Sequence, residues 1–248
     1  MKILAWRFAV LIGVLAVWEA VARPLNPLLY VAPSVLPGAL LKVARGEDMP
    51  QLPPHLWLTL QEIGAAYVLA VAGGLWLGFL LGLRPLLGRI YEPILAALYA
   101  IPSVVWYPSL MLFFGLGPTS KIAFGFLLGF FPVVLSVLAG VRQVDRHLVT
   151  VATSMGAGPW AIFRKVVLPG MASTLASGLR AGLALSVVGV LVGEVLGARA
   201  GVGYVLNYVY GLLRTPEYVA LVVIVGAVVL MIDGIAGTFE ARAKRWAG

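Results

Sequence analysis

The 248-residue chain contains no cysteine, only two histidines and only ten acidic residues, and its charged side chains make up 11% of the total, against about 25% in a soluble domain. Each shortage removes a class of function. Without cysteine there is no disulfide, no thiolate chemistry and no cysteine metal site. With only His55 and His147, far apart along the chain, a histidine-rich metal centre is excluded as well. No G-x-x-x-x-G-K-[ST] phosphate loop occurs, so this chain does not bind ATP by that route. Neither H-E-x-x-H nor G-x-S-x-G is present, and the ionisable residues inside the apolar runs form no evident acid–base pair. The chain therefore reads as a non-enzyme with no cofactor of its own.

What is abundant is apolar: 61% of the residues are hydrophobic and the mean hydropathy is +1.00. This composition describes an all-α integral membrane protein. The formal charge of +8 comes from 18 Lys and Arg, scattered among loops instead of interleaved with aromatics on one surface, which argues against nucleic acid. Apolar runs at 3–22, 57–83, 90–113, 121–141, 171–196 and 218–238 predict about six spans of the roughly 20 residues a bilayer needs.

The first run has a competing reading as a secretory signal, with Lys2 and Arg7 as its charged region and Ala20-Val21-Ala22 as its cleavage site. Both readings leave residue 23 outside the cytoplasm. The following stretch to His55 is rich in proline, at 24, 27, 33, 37, 50, 53 and 54, and reads as an external connector with a short amphipathic helix from Gly38 to Arg45. Residues 1–56 thus form an N-terminal helix with its connector, and 57–248 a core.

An even span count puts both termini on one side. An N-terminus inside gathers Lys2, Arg7, Arg84, Arg89, Arg142, Arg146, Arg164, Lys165, Arg242, Lys244 and Arg245 in the cytoplasm and leaves Arg23, Lys42, Arg45, Lys121, Arg199 and Arg214 outside. The positive-inside rule selects this orientation.

One polar, basic stretch interrupts the C-terminal half, Val141 to Pro169, VRQVDRHLVTVATSMGAGPWAIFRKVVLP. Val149, Ala152, Met155, Ala157, Trp160 and Phe163 recur at spacings of two to four, an apolar stripe suited to a partner's groove. Gly156 and Gly158-Pro159 break the pattern, predicting two short helices joined by a tight turn.

The spacing Ala152, three residues, Gly156, nine residues, Val166, one residue, Leu168-Pro169 resembles the EAA loop of permease subunits of bacterial ABC importers, with Thr150 in place of the family's Glu and Val151 in place of its first Ala. Phe114–Ile122, Gly129–Pro132, Gly140–Asp145, Gly178-Leu179-Arg180, Gly193-Glu194 and Gly201–Tyr204 look like the nitrate, sulfonate and taurine branch. The resemblance implies a type I ABC importer permease fold in a bacterial inner membrane. It implies a second permease subunit, commonly identical, together with cytoplasmic ATPase subunits that bind ATP and Mg, and an external binding protein that delivers a small solute, an anion being one of the alternatives. Thr150, Val151, Ala152, Met155, Gly156, Ala157, Trp160, Leu168 and Pro169 would then contact the ATPase within a cytoplasmic loop, 142–169.

Candidate pathway or gate residues are fewer. Pro93, Pro102 and Pro108 require the third run to bend, and backbone freed by proline at membrane depth is tolerated where protein buries it or water reaches it. Pro102, Ser103, Trp106 and Tyr107 therefore line either a pathway wall or a packing kink. Ser136, Arg180 and Glu194 are the other polar candidates, and intramembrane charge points to function or to a paired partner. Glu19 and Glu62, near the outer ends of their runs, read as reaching headgroups or water. The rival classes are a secondary transporter and an intramembrane enzyme or assembly factor. The first often shows inverted repeats, and the second needs a polar cluster buried at one depth or a large soluble face; the sequence displays none of these.

Overall fold

The computed structural model describes residues 2–26 and 29–247, with the backbone alone for 2–5, 244, 246 and 247. Pro27 of the connector, and the side chains of Lys2 and Lys244 counted as cytoplasmic, lie outside the described residues. Among the described residues there are helices and no strands: α1 (Lys2–Ala22), α2 (Leu36–Arg45), α3 (Leu52–Gly82), α4 (Pro85–Ala100), α5 (Trp106–Phe114), α6 (Pro118–Gln143), α7 (Arg146–Ser154), α8 (Pro159–Ile162), α9 (Leu168–Gly197), α10 (Val202–Gly211) and α11 (Thr215–Ala247).

Among the described residues, four helical runs are long and apolar enough to cross a membrane: α3, α6, the 39-residue run Pro159–Gly197 and α11. The pair α4 and α5, bent by 78° at the break between them, passes the same test when the two are taken together. The run expected at 3–22 is the 21-residue helix α1, whose length at about 1.5 Å per residue matches a hydrocarbon core of about 30 Å.

Proline sets several boundaries. Pro53 and Pro54, Pro85, Pro118 and Pro159 stand in the first turns of α3, α4, α6 and α8, where the absent N–H costs nothing and the fixed φ favours the helix. Consequently α3, α4 and α6 begin several residues earlier than hydropathy alone predicts. The expected bend in the third run has a local cause. Ile101, held by the following Pro102, takes an extended backbone with ψ 130°, because the proline ring disfavours helical geometry one residue before it. A 3₁₀ turn at Ser103–Val105 then leads into α5.

The second short helix expected in the basic loop is not free-standing. It is the start of the Pro159–Gly197 run, joined to α9 through a π segment at Phe163–Val167. The longer i→i+5 ring of a π segment absorbs the strain that Pro169 brings to the helix.

The chain forms two compact units, one of Met1–Leu58 with Ala200–Val228 and the other of Thr59–Arg199 with Val229–Gly248. In the first, Ala39 and Val43 of α2 pack on Val202, Val205 and Val209 of α10 and on Ala220 and Leu221 of α11. Arg214 ties this core to the connector by donating to the Glu47 and Asp48 carbonyls at 3.3 and 2.9 Å and to Glu217 at 3.0 Å.

The second unit is built on α6 against α9, its most extensive helix contact. Small residues meet there: a Cβ added to Gly189 would lie 2.7 Å from the Gly125 Cα, and one on Gly129 would lie 2.8 Å from the Gly182 carbonyl. Lipid gives no hydrophobic drive between helices, so backbone approach of this kind supplies the packing energy.

Candidate functional site

The helix α7 is held at both ends by local hydrogen bonds. Asp145 caps its start, accepting from the His147 N–H at 2.8 Å, which satisfies one of the orphan donors of the first turn. At its end the Gly156 N–H donates to the Thr153 carbonyl at 2.9 Å and the Ala157 N–H to the Ala152 carbonyl at 3.0 Å. Gly156 sits at φ +79°. This pair of bonds around a left-handed glycine is a Schellman motif. It gives the Ala152-x3-Gly156 spacing a physical meaning, since the glycine terminates the helix whose orphan carbonyl Ala152 provides.

The apolar stripe divides between two faces because α7 stops at Ser154. Val149, Ala157 and Phe163 turn inward and, with Trp160, Phe79, Val141 and Arg89, line a groove of about 1230 Å³. Leu148, Val151 and Met155 point out, Met155 with 83% of its surface exposed, and Trp160 at the groove's edge is itself 71% exposed. Trp160 stacks on Phe163 at 5.6 Å between ring centres, which braces the exposed indole against the helix that follows. Thr150 donates to its own helix at the Arg146 carbonyl, 2.9 Å, so its hydroxyl is occupied where a carboxylate would reach outward. Leu168 and Pro169 are half-buried beyond the π segment. Of the flanking arginines, Arg142 pairs with Glu92.

Of the pathway candidates, Tyr107 comes next to Glu194 through Gly193, and the others do not converge on that place. Pro102, Ser103 and Trp106 lie at the bend, with Pro102 and Trp106 exposed and Ser103 half-buried. Tyr107 beside them is fully buried against Phe124 and Leu128, and its hydroxyl donates to the Gly193 carbonyl at 2.6 Å. The Ser136 hydroxyl donates to the Val133 carbonyl at 2.8 Å where α6 crosses Gly178 of α9. Arg180 is clamped, with Asp233 bidentate at 2.8 and 2.6 Å and Glu240 at 2.8 Å, a geometry that commits the guanidinium to α11.

Two charges were misplaced by the sequence reading. Glu62, expected at headgroups or water, and Lys121, counted as an external cation, are both sealed inside and lie 3.0 Å apart. Glu194 is buried with them, accepting from the Thr59 hydroxyl at 2.6 Å. A polar cluster at one depth therefore exists where none was expected. Its signal was available in register: Glu62 in the early turns of α3, Lys121 in the first turn of α6 and Glu194 in the last turn of α9 fall at the same end of the apolar runs.

Residues 70–245 match the model of the family described as binding-protein-dependent transport system inner membrane component. Over 238 residues, 94% of this chain and 86% of the relative, the chain is 29% identical to the taurine transport system permease protein TauC of Escherichia coli strain K12. It is 33% identical over 160 residues to the riboflavin transport system permease protein RibX of Chloroflexus aurantiacus, covering 64% of this chain and 60% of that one. With the putative aliphatic sulfonates transport permease protein SsuC of Bacillus subtilis it shares 26% over 236 residues, 94% and 84% of the two chains. Among solved structures, an inward-facing form of the MetNI methionine ABC transporter superimposes with a TM-score of 0.57 at 21% identity, covering 77% of this chain and 98% of that one.

Proposed function

We propose, from the premise that this chain belongs to the binding-protein-dependent transport system inner membrane component family, that it is the membrane-spanning permease subunit of an ATP-driven importer. It is a multi-pass membrane protein and a transport component, not an enzyme. In this reading two copies pair in a bacterial inner membrane with both termini cytoplasmic, and a binding protein delivers a small solute from outside. The taurine and sulfonate relatives favour an anionic one. ATP and Mg are held by a separate ATPase subunit.

The observation that carries the reading is the capped helix α7 with its turn, which presents Leu148, Val151, Met155 and Trp160 uncovered on a loop bounded by Arg142, Arg146, Arg164 and Lys165. An apolar face of this size in water needs a partner. The groove of an ATPase would cover it, and the π-linked helix behind it would carry the motion into α9. Such coupling needs contacts that differ between the two states of the ATPase, and the exposed side chains provide them.

The test is copurification from the native host followed by reconstitution. An affinity-tagged chain should bring down an ATP-hydrolysing subunit, and the pair in proteoliposomes with the binding protein should accumulate solute only with ATP. Uptake driven by an ion gradient, with no ATPase retained, would identify a secondary transporter instead.

A further inference from the structure

The groove behind α7 lies where the apolar runs stop. Of its lining residues, Phe79 stands in the last turn of α3, Arg89 early in α4, Val141 in the last turn of α6 and Trp160 at the start of the Pro159–Gly197 run. Bilayer-crossing helices that end together end where hydrocarbon gives way to headgroups, so the groove opens at that depth. Trp160, 71% exposed at its edge, is the kind of side chain enriched there.

The floor of the groove is apolar and its rim is basic. Phe79 and Phe163 meet edge to face with 5.3 Å between ring centres, and Val141 adjoins them in the lining. Arg89, Arg142 and Arg146 line the same groove, and no carboxylate is among the lining residues. Arg142 is already paired with Glu92. Asp145, next to Arg146 in the chain, caps α7 by accepting from the His147 N–H. Arg89 and Arg146 are exposed and form no ion pair among the described residues. Two unanswered guanidinium groups thus stand over an apolar recess of about 1230 Å³, larger than the roughly 300–1,000 Å³ of a small-molecule pocket.

We propose that this groove binds an anionic phospholipid, its phosphate held by Arg89 and Arg146 and its acyl portion laid on the floor of Phe79, Val141 and Phe163. The two halves of the site select the occupant. A water-soluble anion would answer the arginines and leave the floor bare, and a zwitterionic lipid would cover the floor and bring the rim no net charge. A phosphate on an acyl chain answers both, since guanidinium donors match phosphate oxygens in pairs and basic recesses between helices at a membrane surface take such headgroups. The seated lipid braces the inner side of α7 at Val149 and leaves Met155 on the outer side uncovered. The inference goes beyond the importer reading and needs no ATPase, because it rests on the depth, floor and rim of the groove alone.

The test is native mass spectrometry of the full chain, delipidated in detergent and titrated with phosphatidylglycerol or with phosphatidylcholine of the same acyl chains. One arginine near a membrane surface favours an anionic lipid by about fivefold. Wild type should therefore bind one phosphatidylglycerol about twenty-five-fold more tightly than phosphatidylcholine. Arg89→Gln and Arg146→Gln should each weaken phosphatidylglycerol by about fivefold, and the double variant should no longer distinguish the two lipids. Val149→Trp, which fills the groove and keeps both charges, should weaken both lipids at an unchanged unfolding temperature; if it does not fold, the arginine variants decide. Equal affinity of wild type for the two lipids, or an undiminished preference in the double arginine variant, would overturn the proposal. So would wild-type binding in folded Val149→Trp, which would put the lipid elsewhere. Glycerol phosphate competing at the lipid's own concentration would make the site one for a free anion, and displacement of the lipid by the copurifying ATPase would give the groove to that subunit; either result contradicts a lipid site.

Discussion

At the scale of single residues, glycine is used for two different ends. Gly156 has nothing within 4 Å of an added Cβ, but it sits at φ +79°, a conformation that costs an L-residue about 1–2 kcal/mol. Gly156→Leu should therefore leave the permease inserted while deforming the end of α7, and ATPase activity stimulated by the binding protein should fall sharply. Unchanged stimulation with normal ATPase retention would contradict this role. Gly189 is the opposite case, an ordinary helical position with the Gly125 backbone 2.7 Å from its missing Cβ. Gly189→Ala should lower stability by about 1–3 kcal/mol through overpacking, read as a drop in unfolding temperature, whereas Gly226→Ala, with open space around it, should not. The glycines announced close packing in the sequence. The partners of Glu62, Lys121 and Glu194 stayed hidden, because hydropathy places a charge in depth but not in rotation about the helix axis. Three helices had to be in register before two expected surface charges became an internal pair.

At the scale of elements, the basic loop was legible in outline. Its turn and break follow from Gly156 and Gly158-Pro159, whereas the capping role of Asp145 emerged only from the structure. Two further features escaped. Residues at spacings of two to four do not share a face once the helix ends at Ser154, so the stripe splits into a groove side and an exposed side. Pro169 does not end a helix, because the π segment at Phe163–Val167 carries the chain past it. This division sharpens an expectation about coupling. Single ion pairs at an exposed surface contribute about 0–1 kcal/mol, so Arg146→Ala should change little. Covering Met155 or Trp160 is worth about 1.5–3 kcal/mol per side chain, which corresponds to roughly tenfold or more in ATPase affinity. Met155→Ala and Trp160→Ala should each reduce ATPase retention by that factor. Crippling by Arg146→Ala with both apolar truncations silent would indicate an electrostatic latch.

At the scale of the molecule, composition alone established a helical membrane protein, and the spans were located to within a few residues except where an N-terminal proline began a helix earlier than its hydropathy. Orientation rests on the distribution of cations, from which Lys121 must now be removed as buried, a change that strengthens the bias. A reporter active only outside the cytoplasm should work when fused after Gly46, Gly117 or Arg199 and fail after Gly88 or Arg146. Activity at Arg146 would take α7 out of the compartment that holds ATP.

The absence of cysteine allows the central claim to be tested at a single point. In a Met155→Cys variant the new thiol is the only one in the chain, and it sits on the most exposed side chain of the proposed docking face. With a short thiol-directed cross-linker in inside-out membranes, it should join to the copurifying ATPase and the yield should change when ATP is added. A thiol at Gly117, through Gly117→Cys, should give no such product. An ATPase present in the membranes but never joined to residue 155, or joined equally to residue 117, would contradict the assignment of α7 and its turn as the coupling element.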